Sequence, residues 1–322
     1  MSEPATWQLD ILDVQTAGRD YCRLHLAAPP EWRSTPGQFV NVRCDPDVAL
    51  QPARVLDYAD DRPRPQLQAA EVRKRTPLVR RPVSISDVGN RSGGGREIVL
   101  LLRVVGPASA LLARKRPGET IDLVGPLGNG FDLSTPTDRA WLVAGGCGVA
   151  PLVGLARDLV TTGKHTTVFY GCADAGDIPL DLGKTPRKPL RPGEPVAGAA
   201  EFPGTQLVVA TEDGSLGTRG LVTDAMAAHA AEAGWDGVSL FACGPDAMMA
   251  AVADLARANG IRRCQVSLEN YMGCAIGVCL SCAVKVRADN AQGWTYKLAC
   301  QDGPVFEADD VIFERTWEGC KR

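Results

Sequence analysis

Several things are missing from this chain of 322 residues, and each absence removes a class of function. No uninterrupted apolar stretch approaches the roughly 20 residues that a membrane-spanning helix needs. Lysine and arginine total 35 against 38 aspartates and glutamates, a net charge of −3. There is no basic patch of the kind that nucleic-acid binding requires, and no acidic tail. The opening MSEPATWQLDILDV lacks the basic start and apolar run of a secretion signal, so a cytoplasmic protein is expected. Histidine is scarce. His25, His165 and His229 stand apart and enter no metal-ligand or triad pattern. No internal repeat and no low-complexity tract is present. What remains is 45% hydrophobic and 23% charged, the profile of globular domains, and the length suggests two or three of them.

Cysteine, by contrast, is abundant at 11 residues. Without a secretion signal a disulfide framework is not expected, and metal or redox use is favoured. Cys274, Cys279, Cys282 and Cys300 lie in GCAIGVCLSC and LACQDGPVF. The spacing C-x4-C-x2-C with a more distant fourth cysteine is that of plant-type [2Fe–2S] ferredoxins, in which four thiolates hold two irons. Gly273 and Gly277 allow the backbone to approach such a cluster closely. Structural zinc is the competing reading, but it usually draws on paired C-x2-C knuckles and here there is one such pair. A cluster passes single electrons and performs no bond chemistry on an organic substrate, so the chain is expected to form part of an electron path. The other cysteines (Cys22, Cys44, Cys147, Cys172, Cys243, Cys264, Cys320) are scattered. Most are expected to be buried small apolar residues, with chemistry plausible at Cys147 and Cys243.

The first third reads as β-structure. WQLDILDVQ, YCRLHLAA, GQFVNVRC, EIVLLLRVV and TIDLVGPL are short runs separated by turn residues, as in a small antiparallel barrel. Between residues 45 and 80 prolines and charges interrupt the pattern. This is expected to be an irregular insertion with a short helix near Gln68–Lys74. After Pro136 strands (RAWLVAG, HTTVFYG, TQLVVAT, GVSLFACG) alternate with helical stretches (PLVGLARDLVTTG, GLVTDAMAAHAAEAG, PDAMMAAVADLARANG), the pattern of a doubly wound parallel α/β domain. A Pro/Gly-rich stretch at 174–204 is expected to be a loop, and from Arg262 short strands and turns surround the cluster cysteines. The expected division is therefore 1–136, 137–261 and 262–322.

Gly146, Gly148 and Pro151 form G-x-G-x-x-P at a strand-to-helix turn. Such a turn offers a dinucleotide phosphate a close backbone approach and a helix N-terminus. Cys243 and Gly244 of FACGPDAMM sit at a second such turn, which should share the same edge of the sheet, so Cys243 could line a nicotinamide pocket or be a buried strand thiol. Arg81 and Ser84 of VRRPVSIS, placed before a barrel strand, suit a pyrophosphate and a flavin ring nitrogen, although Arg81 could equally be a surface charge. TEDGSLGTRG, residues Thr211 to Gly220, follows another strand and could touch a ribose or form a loop, the loop being the favoured reading. Asp174, beyond HTTVFYG, could accept from an adenosine ribose, which would favour NAD over NADP, or be a turn residue. Met248 and Met249 fall on an apolar helix face and are expected in the core.

The segments PGQFVNV, RRPVSIS, LLRVVGPAS, GPLGNGF, AGGCGVAP, TEDGSLGTRGLVTD, FACGPDAMM, VSLENYMGCAIGVCLSCAVKV and CQDGPVF, in this order, cover most of the chain. Together they resemble the ferredoxin–NADP reductase superfamily and, more narrowly, the electron-transfer subunits of NAD-dependent dihydroorotate dehydrogenase. The resemblance implies an FAD-binding β-barrel, an NAD-binding α/β domain and a small C-terminal [2Fe–2S] domain. It matches Arg81, Pro82, Val83 and Ser84, then Leu101, Leu102 and Arg103, then Ala108 and Ser109, to three FAD segments, and the four cysteines to cluster ligands. Val83 stands where the wider superfamily often has a flavin-stacking aromatic. Ala108 and Ser109 stand where the narrower branch usually has glycine and threonine. The implied partner is an FMN-containing catalytic subunit that oxidises dihydroorotate in pyrimidine synthesis, in an assembly of two copies of each. Reductase subunits of a hydrogenase, a sulfide dehydrogenase or a ferredoxin-linked transhydrogenase share these motifs, and a zinc-holding scaffold is the alternative outside redox chemistry.

Overall fold

The computed structural model describes residues 4–44, 79–91, 94–134, 137–183, 190–196 and 198–313. The expected helix near Gln68–Lys74 lies outside them. The N-terminal part is a closed antiparallel barrel of β1 (Ala5–Ala17), β2 (Tyr21–Ala27), β3 (Phe39–Val42), β4 (Arg81–Asn90), β5 (Arg96–Arg103) and β6 (Thr120–Leu127), in the order β1-β2-β5-β4-β3-β6. Strand periodicity explains its inside. In β2, Cys22, Leu24 and Leu26 point inward while Arg23 and His25 alternate with them. Leu9, Ile11, Val40, Val42, Ile98, Leu100, Ile121 and Leu123 complete the core around the buried Trp32.

Two elements here depart from the sequence reading. Arg81 and Ser84 do not precede a strand: they lie within β4, which pairs with β3 on one side and β5 on the other and so closes the barrel. Its first residues carry no alternating pattern because Pro82, Val83 and Ser84 are half-buried towards a cleft. A short helix, α1 (Pro107–Ala113), follows β5. Proline at its first turn is compatible with a helix start, but seven residues are too few for a 3.6-residue period to show.

The second part is a seven-stranded sheet ordered β10-β9-β8-β7-β11-β12-β15. It comprises β7 (Arg139–Gly145), β8 (His165–Cys172), β9 (Gln206–Thr211), the two-residue β10 (Thr218–Arg219), β11 (Val238–Cys243), β12 (Cys264–Ser267) and β15 (Val305–Glu307). All neighbours are parallel except β12 with β15. The central strands are apolar on both faces because helices cover both. Helix α2 (Ala150–Thr161) covers one face. Helices α3 (Val222–Ala233) and α4 (Asp246–Ala258) cover the other. The stretch around 178–202 also packs on the α2 face, through Ile178, Leu180, Val196, Ala199 and Phe202. Among its described residues the stretch 174–204 has no regular element beyond a short turn at Ala175–Asp177, so it is the loop expected, with apolar residues that are buried. The sheet continues past residue 261, since β12 pairs with β11 and β15 with β12. The cluster segment 268–304 is an excursion between these two strands and contains the hairpin of β13 (Ala283–Arg287) and β14 (Trp294–Leu298).

β7 lies between β8 and β11, so the chain runs outward in both directions from it, and the crevice at the carboxyl ends of β7 and β11 is the topological switch point where ligands bind in such sheets. The barrel is held over this edge by several ties. Arg157 of α2 pairs with Asp87 and donates to Val88 O. Arg23 reaches Glu201 and Pro179 O, and Arg19 clamps Asp174. Gly154 lets α2 come close to β4, since a Cβ there would lie 3.2 Å from Ser86 O.

Candidate redox centre

The two strand-to-helix turns meet at the switch point. Gly148 serves this meeting: a Cβ there would fall against the Cys243 carbonyl and 2.7 Å from Gly244 N. Gly145 is likewise pressed by Met248 and Pro245. Gly146 differs. Its φ of +52° favours glycine, and the nearest atom to a Cβ there would be the Tyr21 hydroxyl at 3.5 Å. Gly148 thus provides packing, whereas Gly146 leaves its backbone open to a cleft.

Between barrel and sheet runs a trough of two adjoining cavities. The inner one, about 140 Å³, is lined by Phe39, Pro82, Val83, Ser84, Leu101 and Leu102 from the barrel side. Cys147, Gly148, Pro151 and Cys243 face them from the sheet, and Glu269, Met272 and Pro304 from the cluster segment. The outer one, about 890 Å³, shares Pro82, Val83, Leu102, Cys147 and Glu269 and adds Arg81, Arg103, Ala108 and Ser109. All nine residues expected from the resemblance to touch FAD therefore line one continuous trough. Arg81 sits on its rim, with its guanidinium on the Val79 and Arg80 carbonyls. The Ser109 hydroxyl accepts from the Val105 and Gly106 amides at 3.0 and 3.1 Å, which holds the turn before α1. Burial pushes the Cys147 thiol up to about 11, and burial also raises that of Cys243, with Glu269 reinforcing both. Both stay neutral at pH 7, so they line the trough without acting as thiolate nucleophiles.

A separate cavity of about 530 Å³ opens on the same edge over β8 and β9. Gly145, Gly146, Gly171, Cys172, Asp177, Glu212, Gly220, Leu221, Pro245 and Met248 line it, together with Tyr21 and Arg103 of the barrel. Met249 is core, as expected, and Met248 is partly buried against the same core while also lining this cavity. Arg103 stands 3.5 Å from Asp177 and 5.5 Å from the centre of the Tyr21 ring. Asp174 is elsewhere. Both its carboxylate oxygens are held by Arg19 at 2.8 and 3.2 Å, one of them also accepts from Gly176 N, and it does not line the cavity. Gly244, φ +156°, packs against Gly145 and Met248 behind the cavity wall.

The cluster segment presents its thiols on a loop of unusual backbone: Ala275 and Leu280 have φ of 61° and 59°, and Gly277 82°. The amides of Ile276, Val278 and Cys279 point at Cys274 Sγ from 3.5, 3.3 and 3.4 Å, and the Cys274 amide at Cys279 Sγ from 3.4 Å. Such donors stabilise thiolates. The Ser281 hydroxyl, 3.2 Å from Cys279 Sγ, is the main influence that brings the Cys279 thiol down to about 6. Burial, then its neighbour Cys282, pushes Cys300 up to about 12. The thiols thus fall into two interacting pairs, Cys274 with Cys279 and Cys282 with Cys300. Among the described residues no three ligating side chains converge on a single ion position. Two pairs suit a cluster that needs two thiolates for each of two irons. Gly273 allows the close approach of sulfur, since a Cβ there would lie 3.1 Å from Cys279 Sγ, while Gly277 makes room for Gln301.

Two contacts fix this loop against the barrel. Asn41 of β3 donates to Cys274 O at 3.1 Å. Asn129, in GPLGNGF, donates to Asp302 O and Val305 O and accepts from Val305 N at 2.9, 3.1 and 3.0 Å. Phe39 packs with Cys282 and Cys300 on one side and lines the inner cavity on the other. Phe39, Tyr21, Glu269 and Met272 were not singled out as site residues from sequence, because they are ordinary strand or turn residues whose place on a cavity wall depends on distant parts of the chain.

A flavin-sized trough beside a nicotinamide-type switch point, with a thiol-lined loop behind it, defines an iron–sulfur flavoprotein reductase of the ferredoxin-reductase fold. Residues 269–312 match the iron–sulfur cluster binding domain of dihydroorotate dehydrogenase B, and residues 142–254 match the oxidoreductase NAD-binding domain. The chain is 34% identical over 282 residues to the dihydroorotate dehydrogenase B (NAD(+)) electron transfer subunit of Desulforamulus reducens, covering 87% of this chain and 88% of that protein. It is 38% identical over 284 residues to that of Geobacillus sp. (strain WCH70), covering 88% of each. It belongs to this family of electron transfer subunits. Among solved structures it is similar to the NADH-dependent reduced ferredoxin–NADP oxidoreductase, with TM-score 0.65 and 26% identity over 95% of this chain and 90% of that one. A ferredoxin NADP+ reductase from Neisseria gonorrhoeae with bound FAD and NADP shares the fold, with TM-score 0.53 and 13% identity over 79% of this chain and 92% of that one.

Proposed function

We propose that this chain carries electrons from an FMN-containing dihydroorotate dehydrogenase catalytic subunit to NAD+, using a [2Fe–2S] cluster on Cys274, Cys279, Cys282 and Cys300 and FAD in the trough. When bound, the cluster supplies single-electron transfer and the flavin couples it to hydride chemistry. The balance is simple: dihydroorotate gives up two electrons and two protons, NAD+ takes both electrons with one proton, and the second proton is released. The observation that carries the reading is the position of Phe39, which shares a buried cluster with Cys282 and Cys300 and also lines the inner part of the trough.

The chain's own residues then have distinct tasks. Arg81 and Arg103 lie where the trough needs positive charge for a pyrophosphate, while Val83, Leu101 and Leu102 provide apolar walls. Ser84 offers a hydroxyl to the ring, and neutral Cys243 and Cys147 border the place where a nicotinamide meets it. Asn129 and Asn41 keep the cluster loop in register with the barrel. The partner docks on the rim of that loop, where Tyr271, Ile276, Val278 and Leu280 are exposed around Cys279, which is itself exposed. Two copies of each subunit form the assembly. The barrel (1–136) serves FAD, the sheet of 137–267 with β15 the nicotinamide, and the excursion 268–304 the cluster. No helix among the described residues is long and apolar enough to cross a membrane. Ten described cysteines are free, which suits a reducing cytoplasm.

The test is to purify the chain anaerobically with its FMN-carrying partner, measure iron and acid-labile sulfide, and assay dihydroorotate-dependent NAD+ reduction. Two irons, two sulfides and one FAD per chain with NADH formation are expected. A colourless protein holding zinc would end the redox reading. The likeness to the NADH-dependent reduced ferredoxin–NADP oxidoreductase favours a second reading, a ferredoxin-linked transhydrogenase subunit. Reduced ferredoxin driving NAD+ reduction while dihydroorotate does not would select it.

A further inference from the structure

Strand β3 carries a buried polar side chain that the barrel core does not explain. Val40 and Val42 belong to that core, so by strand alternation Phe39 and Asn41 point outward, to the cluster segment. Asn41 is only 4% exposed. Its Nδ2 donates to Cys274 O at 3.1 Å, and its Oδ1 is buried without a hydrogen-bond partner among the described residues. An unsatisfied buried acceptor costs free energy, and an apolar side chain in its place would avoid that cost. What the amide provides instead is a hold on Cys274. The amides of Ile276, Val278 and Cys279 all gather on the Sγ of this residue, so fixing its carbonyl fixes the loop from 274 to 279. The backbone of Asn41 is held in turn. Its O accepts from Arg80, whose guanidinium also donates to O and Oδ1 of Asp122 on β6 at 3.2 and 2.7 Å. The register of β3 is an independent sign. Phe39 lies opposite Ser84 of β4 and Asn41 opposite Pro82, and both Ser84 and Pro82 line the inner cavity of the trough. β3 therefore offers two rungs between cluster loop and trough. One passes from Cys282 and Cys300 through the packing of Phe39. The other passes from Cys274 through a hydrogen bond to Asn41 and across the strand pair to Pro82.

We propose that Asn41 is the positioning residue that couples the cluster site to the flavin trough: its amide holds Cys274 against β3, and single electrons cross by this hydrogen-bonded rung to Pro82 in preference to the contact through Phe39. Electronic coupling falls off less steeply along covalent and hydrogen bonds than across a van der Waals gap, which favours the Asn41 rung. No bond is made or broken on this route and no proton moves along it. The proposal rests on the reading of the four cysteines as a [2Fe–2S] site and of the trough as the FAD site, and it names the residue that joins them.

The experiment uses the whole chain and compares Asn41→Leu, which keeps the bulk and removes the donor, with Phe39→Leu. Electron transfer from cluster to FAD is timed after pulsed reduction, and both midpoint potentials are titrated by electron paramagnetic resonance and visible absorption. Amide hydrogen exchange of residues 274–279 is followed separately in the chain stripped of its cluster. Asn41→Leu should slow transfer about five- to tenfold at unchanged potentials and speed exchange of the loop amides by a similar factor, the scale of one lost hydrogen bond. Phe39→Leu should slow transfer by less. Asn41→Ser, whose hydroxyl is too short to reach Cys274 O, should behave as Asn41→Leu does and serves in its place where the leucine variant loses iron. A wild-type rate or unchanged loop exchange in the Asn41 variants overturns the assignment. So does a shift in the cluster potential that accounts for the slower rate, or a larger loss in Phe39→Leu than in Asn41→Leu. Absence of iron and acid-labile sulfide from the wild type overturns the cluster reading instead, and the proposal with it.

Discussion

Cys279 shows how one side chain's surroundings decide its chemistry. It is exposed, it accepts from the Cys274 amide, and the Ser281 hydroxyl is the largest of the influences that bring its thiol down to about 6. A lowered pKa means that the thiolate is the main form at neutral pH and that protonation takes over as pH falls below about 6. Cys22 and Cys147 are pushed up to about 11 by burial and remain thiols at pH 7. Iodoacetamide applied at pH 7 to the chain stripped of its cluster should therefore label Cys279 first, as peptide mapping would show. The labelling rate should drop as pH is lowered through 6. Loading the cluster should protect the residue. Preferential labelling of Cys147 would contradict this ordering. Tyr21 and Phe39 carry no comparable sequence signal. A tyrosine at a strand start and a phenylalanine in an apolar strand are ordinary residues until the fold brings them to a cavity wall.

The strands and turns of the switch point were legible because their signals are local. Alternation marked β1, β2 and β6, apolar runs marked β7, β8, β9 and β11, and glycine with proline marked both strand-to-helix turns. The elements that escaped are those without a local period. β4 begins with residues that face a cleft, α1 has seven residues, and β12 has four. The turn GPLGNGF is an instructive case. As sequence it is a run of turn residues, while in the structure Asn129 bonds to backbone on both sides of Gly303–Pro304 and locks β6 to the entry of β15. Asn129→Ala removes three hydrogen bonds in a partly buried setting and should cost roughly 2–3 kcal/mol of stability. Urea unfolding would measure the loss. Transfer from cluster to flavin should slow as well, while direct NADH reduction of FAD stays near wild type. A loss under 0.5 kcal/mol with unchanged transfer would show that Asn129 is not the tie between these elements.

At the scale of the whole molecule, barrel, sheet and cluster segment all contribute walls to the inner cavity, and the loop that carries the exposed Cys279 spans residues 274–282. Four of the exposed large apolar residues, Tyr271, Ile276, Val278 and Leu280, gather at that loop, and a patch of this kind is what a partner covers. Tyr271, 84% exposed, is the natural probe. Tyr271→Asp should weaken association with the catalytic subunit at least tenfold in a sedimentation or calorimetric titration, the scale of an aromatic hot spot. NADH reduction of FAD within the isolated chain should not change. Wild-type affinity in that variant would move the docking surface elsewhere. The cluster, the barrel and the doubly wound sheet could be read from the chain because each depends on neighbours in sequence: cysteine spacing, period-two runs, and glycines at strand ends. The trough, and the burial of Phe39 in one cluster with Cys282 and Cys300, could not. They join residues as distant in sequence as Phe39 and Pro304, and such meetings exist once burial of the apolar faces has packed barrel, sheet and loop together.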